Sequence, residues 1–261
     1  MEVILAEKAG FCFGVKRAVD TAFAKAKEFE AAGRKLYTYG PIIHNEEVIK
    51  KLEDSGVYML QSLDNLDDIP TGSAIIIRSH GVPKSDYEKI ESAGLEVIDT
   101  TCPFVQNIHK IVSERSDAGD VILIIGNPGH AEVDGTIGWS SSEPYVINSI
   151  EDIEALPDFS DASITVVAQT TYSLKKFKEF VEVLKDRYYN VNVCKTICNA
   201  TEERQSEAEK LASTVDAMIV IGGKAIYFYY LYFLLNVELK VNLYSDYKLY
   251  FECYFYYFFL N

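Results

Sequence analysis

Three cysteines, Cys12, Cys102 and Cys198, lie 90 and 96 residues apart. Each stands between a short apolar run and the start of a helical pattern: Val3 to Leu5 before Val15, Leu95 to Ile98 before Phe104, and Val191 to Val193 before Glu202. Open α/β sheets gather ligands at the carboxyl ends of their parallel strands, and a helix N-terminus favours a thiolate over a thiol. The spacing therefore predicts three convergent thiolates. Three ligands rather than four suit an iron–sulfur cluster that keeps one iron open for chemistry. Two other readings stand beside it. Single cysteines are often small buried apolar residues, and structural zinc takes its ligands in close pairs, of which Cys194-x3-Cys198 is the only example. Cys194 falls within a strand pattern and reads as core, while Cys253 belongs to an aromatic tail.

Three of the four histidines also follow strand patterns: His44 in Gly-Pro-Ile-Ile-His-Asn-Glu, His80 in Arg-Ser-His-Gly-Val, and His130 in Gly-Asn-Pro-Gly-His-Ala-Glu. Asn45 can cap a helix from Glu46, which sets His44 beside backbone donors suited to a phosphate. His109 falls inside a helix and reads as structural. Glu132 follows His130 by two residues and is a candidate proton donor, provided burial raises its pKa. Asp134 and the run Gln169-Thr170-Thr171 complete the polar set, and Ser173 reads as a helix cap.

The elements that must position these groups alternate. Helical spacing runs from Val15 to Phe29 and closes at Gly33. Strand Lys35 to Tyr39, helix Glu46 to Ser55, strand Ser73 to Arg78, helix Pro83 to Ala93 and strand Leu95 to Ile98 follow, then helix Phe104 to Asp117 and strand Val121 to Ile125. Strands Tyr145 to Ile147, Ile164 to Ala168, Val191 to Val193 and Ala217 to Ile221 alternate with helices Leu174 to Asp186 and Glu202 to Ser213. Strands separated by helices predict an α/β protein with parallel sheets. At 261 residues the chain has room for two or three compact domains.

A net charge of −14 repels nucleic acid and anionic lipid, so an anionic ligand must be held by local groups. No apolar run reaches the ~18 to 20 residues of a membrane helix, and the acidic, short apolar start carries no visible targeting signal. Five scattered cysteines fit a reducing compartment, so the expected location is cytoplasmic, with no nucleic-acid or membrane partner. From Ala225 onward the composition changes. These 37 residues hold 16 of the 33 aromatics and five charged residues, without Gly or Pro. No helix or strand period survives there, and the segment reads as a foreign or frameshifted tail, with an aromatic-rich strand pair or partner-binding segment as the alternative.

Seven motifs in order carry a resemblance: Gly-Phe-Cys-Phe-Gly-Val-Lys-Arg-Ala, Ile-His-Asn, Ser-His-Gly-Val, Asp-Thr-Thr-Cys-Pro, Gly-His-Ala-Glu-Val-Asp-Gly-Thr, Ala-Gln-Thr-Thr and Thr-Ile-Cys-Asn-Ala-Thr. Over residues 1–224 the chain resembles the 4-hydroxy-3-methylbut-2-enyl diphosphate reductase family (LytB/IspH). The resemblance implies a trefoil of three small α/β domains with mainly parallel sheets around a central cluster. Their expected bounds are residues 13–101, 102–194, and 195–261 together with 1–12, the last incomplete and replaced by the tail from 225. It implies one [4Fe-4S] cluster per chain on Cys12, Cys102 and Cys198, and diphosphate binding by His44, His80 and His130. Proton relay by Glu132, Thr170 near the substrate hydroxyl, and ferredoxin or flavodoxin as electron donor are implied as well. The implied reaction is reductive removal of the C4 hydroxyl, giving isopentenyl and dimethylallyl diphosphates in the last step of the non-mevalonate isoprenoid pathway.

Two departures accompany the resemblance. The family's Asn-Ser-Ser-Asn segment and a later serine-bearing loop are missing where this chain reads Ala225-Ile226-Tyr227-Phe228, and the family's Pro between His and Glu is Ala131. A cluster-binding but catalytically impaired relative is therefore the second expectation, and a structural zinc or thiol protein the third.

Overall fold

A computed structural model describes residues 3–159, 162–215, 217–221 and 256–260 of the chain. The first half runs β1 (Val3–Leu5), α1 (Phe13–Ala31), β2 (Leu36–Tyr39), α2 (Glu46–Asp54), β3 (Val57–Leu60), β4 (Ala74–Ile77), α3 (Lys84–Ser92), β5 (Glu96–Asp99) and α4 (Pro103–Asp117). The second runs β6 (Val121–Ile125), α5 (Ala131–Ile137), β7 (Tyr145–Ile147), α6 (Ile150–Glu154), β8 (Ile164–Ala168), α7 (Leu174–Arg187), β9 (Val191–Val193), α8 (Asn199–Ala212), β10 (Ala217–Ile221) and β11 (Tyr256–Leu260).

Two four-stranded parallel sheets have matching topology, with orders β3-β2-β4-β5 and β7-β6-β8-β9. The central strands β4 and β6 are covered on both faces and are accordingly apolar throughout. In β4, Ala74 and Ile76 pack toward α1, whereas Ile75 and Ile77 pack with Val82, Ile90 and Leu95 on the other face. In the second sheet Leu123, Ile125, Val166 and Ala168 meet Phe177, Phe180 and Leu184 of α7; Ile122, Ile124 and Val167 meet Ile108 and Val112 of α4. The site-bearing loops thus leave a rigid base, because alternate side chains anchor each strand in two cores.

The third sheet has the order β1-β11-β10 and is antiparallel at both pairings. No strand period is legible in the aromatic tail, yet its residues 256–260 form a strand, which the alternative reading of an aromatic-rich strand pair allows for. Phe and Tyr favour extended backbone, and at Tyr256–Leu260 the run pairs with both β1 and β10. Residues 222–255, with Cys253 and the Ala225-Ile226-Tyr227-Phe228 departure, lie outside the described residues. Beneath this sheet Ala6 packs on Ala208, with Leu211, Val215 and Met218 around them.

β3, α5 and α6 were not expected from sequence. Only Val57 of β3 is buried, so the strand has little apolar signature. α5 has Gly135 in its interior, yet that glycine lets the helix approach the Gly81 and Val82 backbone, whose atoms would lie 3.4 Å from an added Cβ. α6 spans five residues and is fixed by a capping box in which Ser149 and Asp152 satisfy each other's backbone amides.

His109 is 2% exposed, and its ring stacks on Trp139 at 4.9 Å and 13°. Burial pushes its pKa down to about 4, opposed in part by Asp99. The unfolded chain takes up this proton near the ordinary value of 6.5. Between that pH and about 4 the unfolded state therefore binds more protons, and stability falls as the pH is lowered. The loss amounts to roughly 3 kcal/mol over the whole window. His109→Phe, which keeps a stacking ring, is expected to flatten this part of the stability profile, measured by denaturant unfolding of the metal-free protein.

Candidate metal centre

All three cysteines of the spaced trio occupy the N-cap of a helix: Cys12 of α1, Cys102 of α4 and Cys198 of α8. The Cys198 Sγ accepts the Thr201 amide at 3.4 Å and lies 3.0 Å from the Thr201 hydroxyl. Thr201 was not singled out from sequence, although its place three residues after an N-cap is the usual partner position. The trio is brought together. Cys12 and Cys198 both raise the Cys102 pKa through their charge, and Cys12 and Glu132 do the same to Cys198.

The expected lowering of these thiol pKa values does not occur in the metal-free protein. Burial dominates, pushing Cys102 up to about 11 against the Phe104 and Val105 amides. It also raises Cys198 against the Thr201 hydroxyl and amide. One turn of helix stabilises an anion only modestly, and desolvation of a thiolate exceeds it. A bound metal reverses the balance, because coordination deprotonates a thiol outright.

Cys102, Cys194 and Cys198 are free thiols. Cys194 packs against the core around Val112 and Ile122, in keeping with its reading as core. Among the described residues, no three His, Cys, Asp or Glu side chains gather closely enough to hold one metal ion. The trio instead suits a centre of several metals, whose thiolates bind separate corners. The cradle is close-fitting on one side: a Cβ on Gly14 would stand 2.4 Å from the Cys102 Sγ. Gly14→Ala is favourable to a helix, so the protein is expected to fold while binding several-fold less iron and acid-labile sulfide per chain.

The histidines also converge. His44 follows β2, His80 follows the adjacent β4, and their ring centroids are 5.3 Å apart. His80 in turn stands 5.9 Å from His130, which follows β6. Asn45 caps α2 through the Val48 amide at 3.0 Å, as expected. His130 caps α5, its Nδ1 accepting the Glu132 amide at 3.1 Å. That leaves the ring proton on Nε2, where the imidazole is a donor.

Glu132 is 2% exposed and grips Thr170 with both oxygens: Oε1 accepts the Thr170 amide at 2.5 Å, and Oε2 accepts its hydroxyl at 2.7 Å. The Thr170 carbonyl accepts the Cys198 amide at 3.1 Å. A continuous path therefore runs from the carboxylate through Thr170 to the trio. Gln169 steadies the loop before His130 by accepting the Asn127 amide at 3.0 Å and donating to Thr171 at 2.8 Å. Ser173 caps α7 as expected. Asp134 is exposed and does not join the buried polar set, because it lies on the outer face of α5. Ala131 takes the first helical position of α5, where Pro is also accommodated, so this departure leaves the loop intact.

Residues 3–226 match the family described as LytB protein. The chain belongs to this family. A LytB relative from Caldanaerobacter subterraneus subsp. tengcongensis, named 4-hydroxy-3-methylbut-2-enyl diphosphate reductase, is 44% identical over 224 residues, covering 86% of this chain and 76% of the relative. One of the same name from Citrifermentans bemidjiense is 46% identical over 223 residues, 85% of this chain and 76% of its own. Among solved structures, the E-1-hydroxy-2-methyl-but-2-enyl-4-diphosphate reductase from Plasmodium falciparum aligns with a TM-score of 0.75 at 30% identity, covering 80% of this chain. This chain spans 65% of that protein's length. A second, the (E)-4-hydroxy-3-methyl-but-2-enyl diphosphate reductase described as the terminal enzyme of the non-mevalonate pathway, aligns at 0.67 and 40% identity, covering 81% of this chain and 73% of its own. No helix among the described residues is long and apolar enough to cross a membrane.

Proposed function

We propose that this LytB family member is a 4-hydroxy-3-methylbut-2-enyl diphosphate reductase that holds one [4Fe-4S] cluster on Cys12, Cys102 and Cys198. A ferredoxin- or flavodoxin-type protein is its electron donor. What supports this reading above all is the meeting of three helix-capping cysteines, three histidines and the Glu132–Thr170 pair at the same ends of the strands. When bound, the cluster supplies an open iron as Lewis acid together with the electrons.

The protein's residues do the rest. His44, His80 and His130 face one another across the adjacent loops and hold the diphosphate, with the His130 Nε2 proton as one donor. Thr170 is oriented by its double contact with Glu132 and presents its hydroxyl oxygen as an acceptor toward the substrate hydroxyl. Glu132 carries a proton toward the departing oxygen. In balance, the C4–O bond breaks, two electrons enter the allylic unit, and two protons are consumed, one on carbon and one on the oxygen that leaves as water.

Anaerobic reconstitution with iron and sulfide, followed by turnover of the allylic diphosphate with a dithionite-reduced viologen, tests this reading. Isopentenyl and dimethylallyl diphosphates are the expected products, and no product at saturating substrate would overturn it. His80→Ala is expected to raise the KM roughly ten- to hundredfold, the value of one hydrogen bond to a charged group, while cluster content stays at the unmodified level.

A further inference from the structure

We propose that Arg17 and Arg204 are positioning residues that register the three cysteine junctions against one another, each reaching from the helix after one cysteine to the loop before the next. The inference rests on the iron–sulfur reading above. Arg204 lies six residues after Cys198 on α8, is 7% exposed, and donates to the Lys8 carbonyl at 3.0 Å and the Gly10 carbonyl at 2.6 Å. Both acceptors belong to the loop that leads into Cys12. Arg17 lies five residues after Cys12 on α1 and donates through Nη2 to the Thr101 carbonyl at 2.7 Å. Thr101 immediately precedes Cys102. The order of linkage is therefore Cys198 to Cys12 to Cys102, across sequence separations of 84 to 196 residues.

The chemistry of the two contacts explains the residue type. The acceptors at these turns are backbone carbonyls, and a planar guanidinium offers several donors in a fixed fork. Arg204 uses that fork on two carbonyls, which a lysine ammonium on a flexible stem cannot reproduce with the same geometry. Arg17 makes a single carbonyl contact, and its Nε is buried without a hydrogen-bond partner among the described residues. A partly buried cation at this junction also offsets the negative charge of a thiolate-bound centre. Lys8 and Glu203 also pair between this loop and this helix at 2.9 Å, but both side chains are about half exposed. Nearby, Glu207 accepts the Glu7 and Lys8 amides at an exposed position.

The test uses the reconstituted full chain and the variants Arg17→Met, Arg17→Lys, Arg204→Met and Arg204→Lys. Two properties are read: the rate at which a chelator removes cluster iron, and the midpoint potential of the bound cluster. Both methionine variants are expected to lose iron about tenfold faster or more. Arg17→Lys should return to nearly the unmodified rate, whereas Arg204→Lys should behave like Arg204→Met. The potential should move in the negative direction in Arg17→Met and stay in place in Arg17→Lys, a response that a role confined to folding would not give. Thermal unfolding of the metal-free variants identifies any that fail to fold, and the lysine forms then carry the comparison. Iron loss at the unmodified rate in folded methionine variants, or equal behaviour of Arg204→Lys and the unmodified protein, would overturn the proposal. If the unmodified chain itself takes up no iron and sulfide, the cluster reading fails and this inference with it. A cluster that is present but indifferent to all four substitutions defeats this inference alone.

Discussion

Cys102→Ser is expected to leave a folded protein without its iron–sulfur absorption and with turnover below detection. The two halves of that outcome have separate causes. Cys102 is the N-cap of α4 and makes no side-chain capping bond. Serine is among the preferred N-cap residues, so the helix should be at least as stable in the variant. The metal-free unfolding midpoint should not fall. The hydroxyl, however, is a hard and weakly acidic donor where iron–sulfur chemistry selects a soft thiolate. The neighbouring thiols of Cys12 and Cys198 cannot compensate, because each is fixed at its own helix start. Cys194→Ser is the matched control: that thiol packs in the core around Val112 and Ile122, and its replacement should leave cluster content unchanged. Iron and sulfide analysis with visible absorption decides the matter. Equal loss of the cluster in the two variants would sink the assignment of the trio.

The same cysteines show which parts of this protein can be read from a sequence. Their places between strand and helix are local properties, set by where an apolar run stops and a helical period begins, and all three appear as helix N-caps. The histidines follow the same rule, each leaving a central strand, of which β4 before His80 and β6 before His130 are apolar throughout. What escaped the sequence is tertiary. Asp134 and Glu132 are both acidic residues in the first turn of a short helix, yet one is exposed and the other buried. Their difference depends on the neighbour that receives α5, and no local pattern encodes it. Thiol acidity was misjudged for a related reason: helix position is legible, whereas the depth of burial that raises Cys102 and Cys198 comes from packing of distant segments. Arg17 and Arg204 look like ordinary solvated helix residues until their acceptors, 84 to 196 positions away, are known.

Glu132→Gln should lower kcat by roughly 10²- to 10⁴-fold, the range lost when a positioned proton donor is removed, while KM and cluster content change little. The substitution preserves shape, and the amide oxygen can still accept the Thr170 backbone amide that Oε1 now receives at 2.5 Å. At the second oxygen, the Thr170 hydroxyl donates at 2.7 Å. An amide nitrogen there forces the hydroxyl to rotate and accept instead. Thr170→Val separates this rearrangement from the loss of the proton carrier, since it removes the hydroxyl but keeps the carboxyl group and the backbone contact. A smaller fall in kcat is expected for Thr170→Val than for Glu132→Gln. If the two variants lose rate equally, the hydroxyl orientation and not the carboxyl proton governs the step, and the role given to Glu132 fails. If neither loses rate, the path from α5 through Thr170 to Cys198 holds the loop in place without moving protons.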